Sequence, residues 1–353
     1  MLDDRVAVST GRGVSEGYGA ALANAQGACP ERFEFEEVVG STPTLKICQA
    51  VTDGLAARPK SLATHFLYDR VGSDLFEQIT ELPEYYPTRT ERGILEARAD
   101  EILEAAGTGA ALIEFGSGSS AKTCLLIEAA LRRQRELRYT PIDISFEFLK
   151  LTSSRLLERY PGLSISAMGG EYFDAADRLP THHGPRLILF LGSNIGNLDR
   201  VEAVDFLSRI QRQMRREDRF LVGIDLVKDA AILEAAYNDA AGVTAAFNLN
   251  LLRRINRELD GRFNLDLFRH HAPYDPQESR IEMRLHSVGR QAVPVEAIDR
   301  VFEFEDGEPI HTEWSHKYTR ESFAALCAPA GLSIEHLWTD PREWFGLCLL
   351  RAN

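Results

Sequence analysis

Residues 111–123 read ALIEFGSGSSAKT. With Ala110, the first five form an apolar run that stops at glycine, the pattern of a central strand in a parallel sheet. Gly116 and Gly118 then let the backbone turn sharply with no Cβ between it and a ligand. A helix starting after such a turn aims its free N–H groups at the same place. The spacing Gly116-x-Gly118-x-x-Ala121 satisfies a dinucleotide fingerprint. Alone, it says that a nucleotide-like ligand sits at the strand end without saying which, and a plain tight turn would produce it too. Glu114 stands inside the strand, where a carboxylate is costly unless a cation or a hydrogen-bond donor meets it.

Outward from this turn, strand and helix alternate. A helix over 122–135 leads to a strand over 139–142 that ends at Asp143. A carboxylate there can accept both hydroxyls of a ribose, or simply cap the helix that follows. A third strand over 163–168 runs into the loop Gly169-Gly170-Glu171-Tyr172. RLILFL, residues 186–191, is the clearest buried strand, and it opens into Gly192-Ser193-Asn194-Ile195-Gly196-Asn197. Loops at these strand ends line the crevice of an open α/β sheet, although Asn and Gly also suit ordinary turns. Val201, Val204, Leu207, Ile210 and Met214 mark an amphipathic helix, and 220–226 a further strand near Asp225. The fold class is therefore α/β with a doubly wound sheet.

The 353 residues suit two domains, or one with insertions. A net charge of −13 with no overriding basic run argues against a nucleic-acid surface. Five scattered cysteines, none in a C-x-x-C pair, fit a reducing cytoplasm without structural zinc. No run nears the roughly 18 apolar residues of a membrane span. The acidic N-terminus lacks the order of a secretion signal, and residues 1–40 read as a loosely held tail or edge. The pairs His182-His183 and His270-His271 cannot face one way on a helix or strand, so no metal site is expected.

Leu75, Phe76, Ile79 and Leu82 predict a helix over 73–82. Pro83 and Pro87 fence Tyr85 and Tyr86 into a stiff loop, either a pocket wall or core filler. Thr88-x-x-Glu91 reads as a capping box opening a helix that Gly107 ends. Residues 230–260 are mostly helical and carry Tyr237. From 280 the period becomes two: Ile281, Met283 and Leu285 share a face, as do Glu313 and Ser315 if 311–318 is extended.

Three chemistries suit such a crevice. Hydride transfer with NAD fits the turn and Asp143, but no acid–base residue stands out for it. Methyl transfer from S-adenosylmethionine fits the same features, and needs chiefly alignment and exclusion of water. A non-catalytic small-molecule sensor ranks last.

Four strings go further: FLYDRVGSDLFEQITELPEYYPTRTE, EFGSGSSAKT, FLGSNIGNL and DLVKDAAILEAAYNDAAGVTAAFN. With RIEMRL and TEWSHK, they resemble the L-histidine Nα-methyltransferases of ergothioneine biosynthesis over roughly residues 60–353. The resemblance implies a Rossmann-like donor domain (92–227 and 317–353) interleaved with an α+β substrate domain (41–91 and 228–316), leaving 1–40 as an extension. It implies S-adenosylmethionine as donor, free L-histidine as acceptor, three methylations to hercynine, and no metal. The protein is expected to be a cytoplasmic monomer without nucleic-acid or membrane partners. Tyr68, Gly116, Lys122 and the Gly192 carbonyl would hold the methionine part of the donor, and Asp143 the ribose. Glu171 and Tyr172, where the family has Asp-Phe, would meet the adenine. Asn197 and Tyr237 would bind the substrate carboxylate, with Tyr85 beside the amine. Tyr85 and Asn197 thus flank the reacting group. Glu313 and Ser315 would grip the imidazole, with Met283 near them and Trp314 facing away. Another amino acid, such as tryptophan, is the alternative acceptor.

Overall fold

A computed structural model describes residues 32–38 and 43–353. The chain opens with β1 (Phe33–Glu37), α1 (Pro43–Ala56) and the short β2 (Lys60–Ser61), followed by α2 (Arg70–Thr80) and α3 (Tyr86–Ala106). Strand and helix then alternate through β3 (Ala111–Phe115), α4 (Thr123–Arg133), β4 (Leu137–Asp143), α5 (Phe146–Arg159) and β5 (Leu163–Gly169). The alternation continues with α6 (Tyr172–Ala176), β6 (Arg186–Phe190), α7 (Arg200–Gln213) and β7 (Arg219–Asp225). After α8 (Ala230–Tyr237) and α9 (Val243–Glu258) come β8 (Phe268–His271), β9 (Tyr274–Asp275), β10 (Arg280–Ser287), β11 (Gln291–Val295), β12 (Arg300–Phe304) and β13 (Pro309–His316). The chain ends with α10 (Arg320–Cys327), β14 (Leu332–Thr339) and β15 (Phe345–Ala352).

Among the described residues the larger sheet has the order β1-β5-β4-β3-β6-β7-β15-β14. Its strands all run one way except β15, which is antiparallel to both its neighbours, β7 and the edge strand β14. Apolar side chains are buried on both faces, Leu112, Ile127 and Leu189 in one core and Ile113, Phe190 and Phe206 in the other. This is the doubly wound sheet the alternation predicts. Its strand order reverses between β3 and β6, the place where such sheets bind ligands.

A second core joins α1, α2 and the start of α3 to α8, α9 and the smaller sheet β2-β13-β10-β8. Strand β13 runs from this unit to the rim of the larger sheet. There the Tyr318 N–H donates to the Asp225 carbonyl at 2.9 Å, and the Val227 N–H donates to Tyr318 O at 2.9 Å. The two units are thereby stitched at the C-terminal end of β7.

Three local expectations change. Residues 33–37 supply an edge strand parallel to β5, so part of the expected extension belongs to the larger sheet. Residues 1–31, which carry the spacing Gly11-x-Gly13 that reads as tail and not as a phosphate loop, lie outside the described residues. Helix α2 starts at Arg70 because Asp69 caps it, accepting from Gly72 N–H at 2.8 Å. The capping box at Thr88 and Glu91 does not form: α3 begins at Tyr86, with Pro87 in its first turn supplying a φ already set for helix. Glu91 is instead fully buried on the same face as Ile94 and Leu95.

Candidate active site

The half of the candidate site beside β3 is built by backbone. After β3, the N–H groups of Gly116 and Ser117 both donate to Ile142 O, at 2.8 and 3.2 Å. Gly116 and Gly118 take φ of 67° and 49°, a region that disfavours any Cβ. Asp143 braces this turn: one oxygen accepts from Gly118 N–H and the other from Ser145 N–H, both at 2.9 Å. Burial still raises its pKa, against these bonds. Glu114 meets the donors its position demands. Thr123 Oγ1 donates to it at 2.6 Å and the Tyr139 hydroxyl also bonds to it, while burial pushes its pKa up to about 7.

Glu91 ties the two switch-point loops together. Its carboxylate accepts the ammonium of Lys122 and, at 2.9 Å, the N–H of Gly192. The bare Cα of Gly223 makes room for it, since a Cβ there would lie 2.2 Å from Glu91 Oε1. Tyr172 packs edge-on against Phe190, with ring centroids 5.2 Å apart. Its hydroxyl reaches over Gly116, where a Cβ would lie 2.5 Å from it and 2.8 Å from Asn194 Nδ2. Glu171 pairs with Lys46 at 2.7 Å, so an adenine amino group would share that carboxylate.

The acceptor-facing half is built by side chains from distant parts of the chain. On β13, Glu313 and Ser315 project to one face, and Lys317 just beyond the strand continues it. Trp314 lies on the other, stacked on Arg280 with 3.5 Å from the guanidinium carbon to the ring centroid. Met283 sits opposite Glu313 in the β10–β13 register, hence on the same face. Glu313 is 6% exposed, and its Oε2 has no hydrogen-bond partner. Burial drives its pKa up to about 8, with Lys317 pulling it back. Tyr237 and Ser315 share a hydrogen bond of 2.7 Å.

Burial raises the pKa values of Tyr68, Tyr85 and Tyr237, and the charge of Glu313 adds to each. These phenols stay protonated and converge on one carboxylate. The expected Tyr pair divides: Tyr85 lies edge-on to Tyr237 with centroids 6.1 Å apart, while the Tyr86 hydroxyl is held by Asp225 at 2.8 Å. Both rings are buried in the same core, Tyr86 tied to Asp225 and Tyr85 turned toward Tyr237. Asn197 ends a single helical turn, 194–197, packed beside β13: a Cβ on Gly196 would lie 2.8 Å from His316 O.

A donor with a carboxylate and an ammonium at one end fits this arrangement. Lys122 supplies a cation, the Gly116 and Gly192 turns supply bare backbone, and Asp143 ends the neighbouring strand beside the Gly118 turn. The profile of a family described as "Histidine-specific methyltransferase, SAM-dependent" matches residues 47–352. The chain belongs to this family. The enzyme is an S-adenosylmethionine-dependent amino-acid Nα-methyltransferase. The histidine N-alpha-methyltransferase of Mycolicibacterium smegmatis is 46% identical over 299 residues, covering 85% of this chain and 92% of that one. That of Mycobacterium tuberculosis is 44% identical over 305 residues, covering 86% and 94%. An L-tryptophan methyltransferase of Psilocybe serbica is 30% identical over 351 residues, covering 90% and 96%.

Two functional positions of this methyltransferase escape sequence reading. Glu91 looked like a cap, yet its place on the apolar stripe with Ile94 and Leu95 is a signal that it is held for another purpose. Lys317 extends the period-two series from Glu313 and Ser315, so continuing that alternation is the signal that finds it.

Proposed function

We propose that the enzyme transfers three methyl groups in succession to the α-amino nitrogen of free L-histidine, giving hercynine in ergothioneine biosynthesis. The observation that carries this reading is the unpartnered, buried Glu313 Oε2 facing hydroxyls on one side and Met283 on the other. A buried acceptor without a donor is costly, and an imidazole N–H supplies one. The two histidine N-alpha-methyltransferases that are similar along most of the chain support the same acceptor.

In this reading Tyr68, Gly116, Lys122 and the Gly192 carbonyl hold the methionine part of the donor. Asp143 takes the ribose, and Glu171 and Tyr172 border the adenine. S-adenosylmethionine supplies an already activated methyl group, so the protein's task is alignment and dryness. Asn197 donates to the substrate carboxylate and the Tyr237 ring borders it, which fixes the amine beside Tyr85. Tyr85 stays neutral and, in the first two transfers, accepts a hydrogen bond from an amine N–H, turning the nitrogen lone pair toward the donor; the dimethylated nitrogen of the third has no N–H to give. An α-amino group titrates near ~8, so releasing its proton to water at neutral pH costs about 1–2 kcal/mol and needs no ionised phenol. Glu313, Ser315 and Met283 hold the ring. The four described cysteines are free thiols, which supports a reducing cytoplasm, and we read the enzyme as a monomer there.

Mass spectrometry of the purified enzyme with isotope-labelled donor and a mixture of amino acids tests the acceptor. Histidine gaining one, two and three labelled methyl groups is the expected result. Label appearing first on tryptophan would overturn it.

A further inference from the structure

A buried lysine stands directly behind the substrate-facing hydroxyls. Lys317 is 3% exposed overall, and its side chain is wholly covered. Its ammonium meets three acceptors: Asp225 Oδ2 at 2.7 Å, Ser315 Oγ at 2.8 Å and the Tyr237 hydroxyl at 3.1 Å. It also lies 4.7 Å from the centre of the Tyr237 ring. An ammonium has three N–H donors and no lone pair, so every donor is used and it can accept nothing.

The consequence is a count of protons. Ser315 and Tyr237 each accept from Lys317, and they share one hydrogen bond of 2.7 Å between themselves. That bond uses one of the two hydroxyl protons. One proton remains: with Tyr237 donating to Ser315, the Ser315 oxygen accepts twice, from Tyr237 and Lys317, and its own proton is the one that points at the ligand. On the other side of the pocket, Glu313 Oε2 offers only a lone pair when ionised. The two walls are thus unlike, one a donor and the other an acceptor.

We infer that Lys317 is a positioning residue that forces the Tyr237–Ser315 pair to present a donor, so that with Glu313 the site selects a ring carrying one N–H and one bare nitrogen. This rests on the proposed acceptor site. A neutral imidazole meets both demands. Indole or pyrrole has the N–H but leaves the hydroxyl donor unpaired, and a benzene ring meets neither. Without the ammonium the hydroxyl pair can reverse, and the preference weakens.

The substitution Lys317→Met is suited to the test because it leaves no orphaned charge. Asp225 keeps Lys228 at 2.6 Å and the Tyr86 hydroxyl at 2.8 Å. The measurement is kcat and KM for histidine and for 3-(pyrrol-2-yl)alanine, with calorimetric binding of S-adenosylhomocysteine alongside. The parent enzyme should prefer histidine over the pyrrole analogue, and Lys317→Met should shrink that preference about tenfold. The shift should fall on KM more than on kcat, and donor-product affinity should stay within about twofold. Lys317→Gln, which restores a donor without the charge, should recover part of the preference, and it serves the same measurement if the Met variant does not fold. An unchanged ratio in either variant overturns the inference. So does a parallel loss of donor and acceptor affinity in both, the mark of mere structural support. Glu313→Ala run beside them separates the two ideas. If it alone abolishes histidine preference, the acceptor site stands and only the role of Lys317 fails; if it changes nothing, the acceptor site itself is wrong.

Discussion

The two halves of the cleft are held by opposite means. The donor half is backbone: a turn of Gly116, Ser117 and Gly118 fastened to Ile142 O and Asp143, within one strand–turn–helix unit and its neighbour. The acceptor half is charge: Glu313, Lys317 and Asp225 buried together, with Tyr85 and Tyr237 brought in from other segments. The first is sensitive to atoms added, because its space exists only where a Cβ is missing. The second is sensitive to charges removed, because each buried ion is tolerable only beside its partner.

The largest effect should come from the acceptor half. Glu313→Ala removes the buried carboxylate on the Ser315 face of β13 and, in the proposed complex, leaves an imidazole N–H without an acceptor. A lost hydrogen bond to a charged group costs roughly 1.5–3 kcal/mol, so kcat/KM for histidine should fall about ten- to hundredfold or more. Calorimetry should find S-adenosylhomocysteine binding unaltered. Equal losses for both ligands would show that the halves are not separable.

Gly116→Ala probes the other half by adding one methyl. The new Cβ would lie 2.5 Å from the Tyr172 hydroxyl and 2.8 Å from Asn194 Nδ2. Both are ends of side chains and can shift, but the φ of 67° remains and costs about 1–2 kcal/mol for a residue with a Cβ. Donor affinity should drop up to about tenfold, and histidine affinity measured with saturating donor product should hold. If histidine affinity falls as much, the turn shapes both subsites.

The same contrast explains what could be read from the chain. The donor half was legible because each of its parts is local: an apolar run, two glycines at fixed spacing, an acidic residue at the next strand tip. Asp143 reads as a ribose acceptor or a helix cap, yet α5 has Ser145 at its N-cap, and the Asp143 oxygens instead accept from the Gly118 and Ser145 N–H groups just before that helix. The acceptor half was legible only through resemblance. Alternation put Glu313 and Ser315 on one face, but nothing along the chain said that Tyr237 and Asp225 would meet that face. Glu91 was misread because a capping box is a local pattern, while its partners Lys122 and Gly192 come from two other loops. Tyr85 and Tyr86 are adjacent, look alike and share one core, and only the positions of Asp225 and Tyr237 give them different partners.

The smallest expected effect concerns stability. Burial pushes the Glu313 carboxyl up to about 8, from an ordinary value of 4.5 that the unfolded chain should show. Between those values the folded protein keeps a proton that the unfolded chain has released, so stability falls as pH rises through this window. Below it both forms are protonated and the group contributes nothing; above it the full cost is present and constant. Glu313→Gln keeps the shape and removes the titration. Its melting temperature relative to the parent should therefore climb by a few degrees between about pH 5 and pH 8, at fixed salt and without ligand. The attraction of Lys317 acts against this climb. A difference that stays flat across the window would mean that Lys317 already holds Glu313 ionised, so that the empty cleft meets its substrate with the acceptor fully formed.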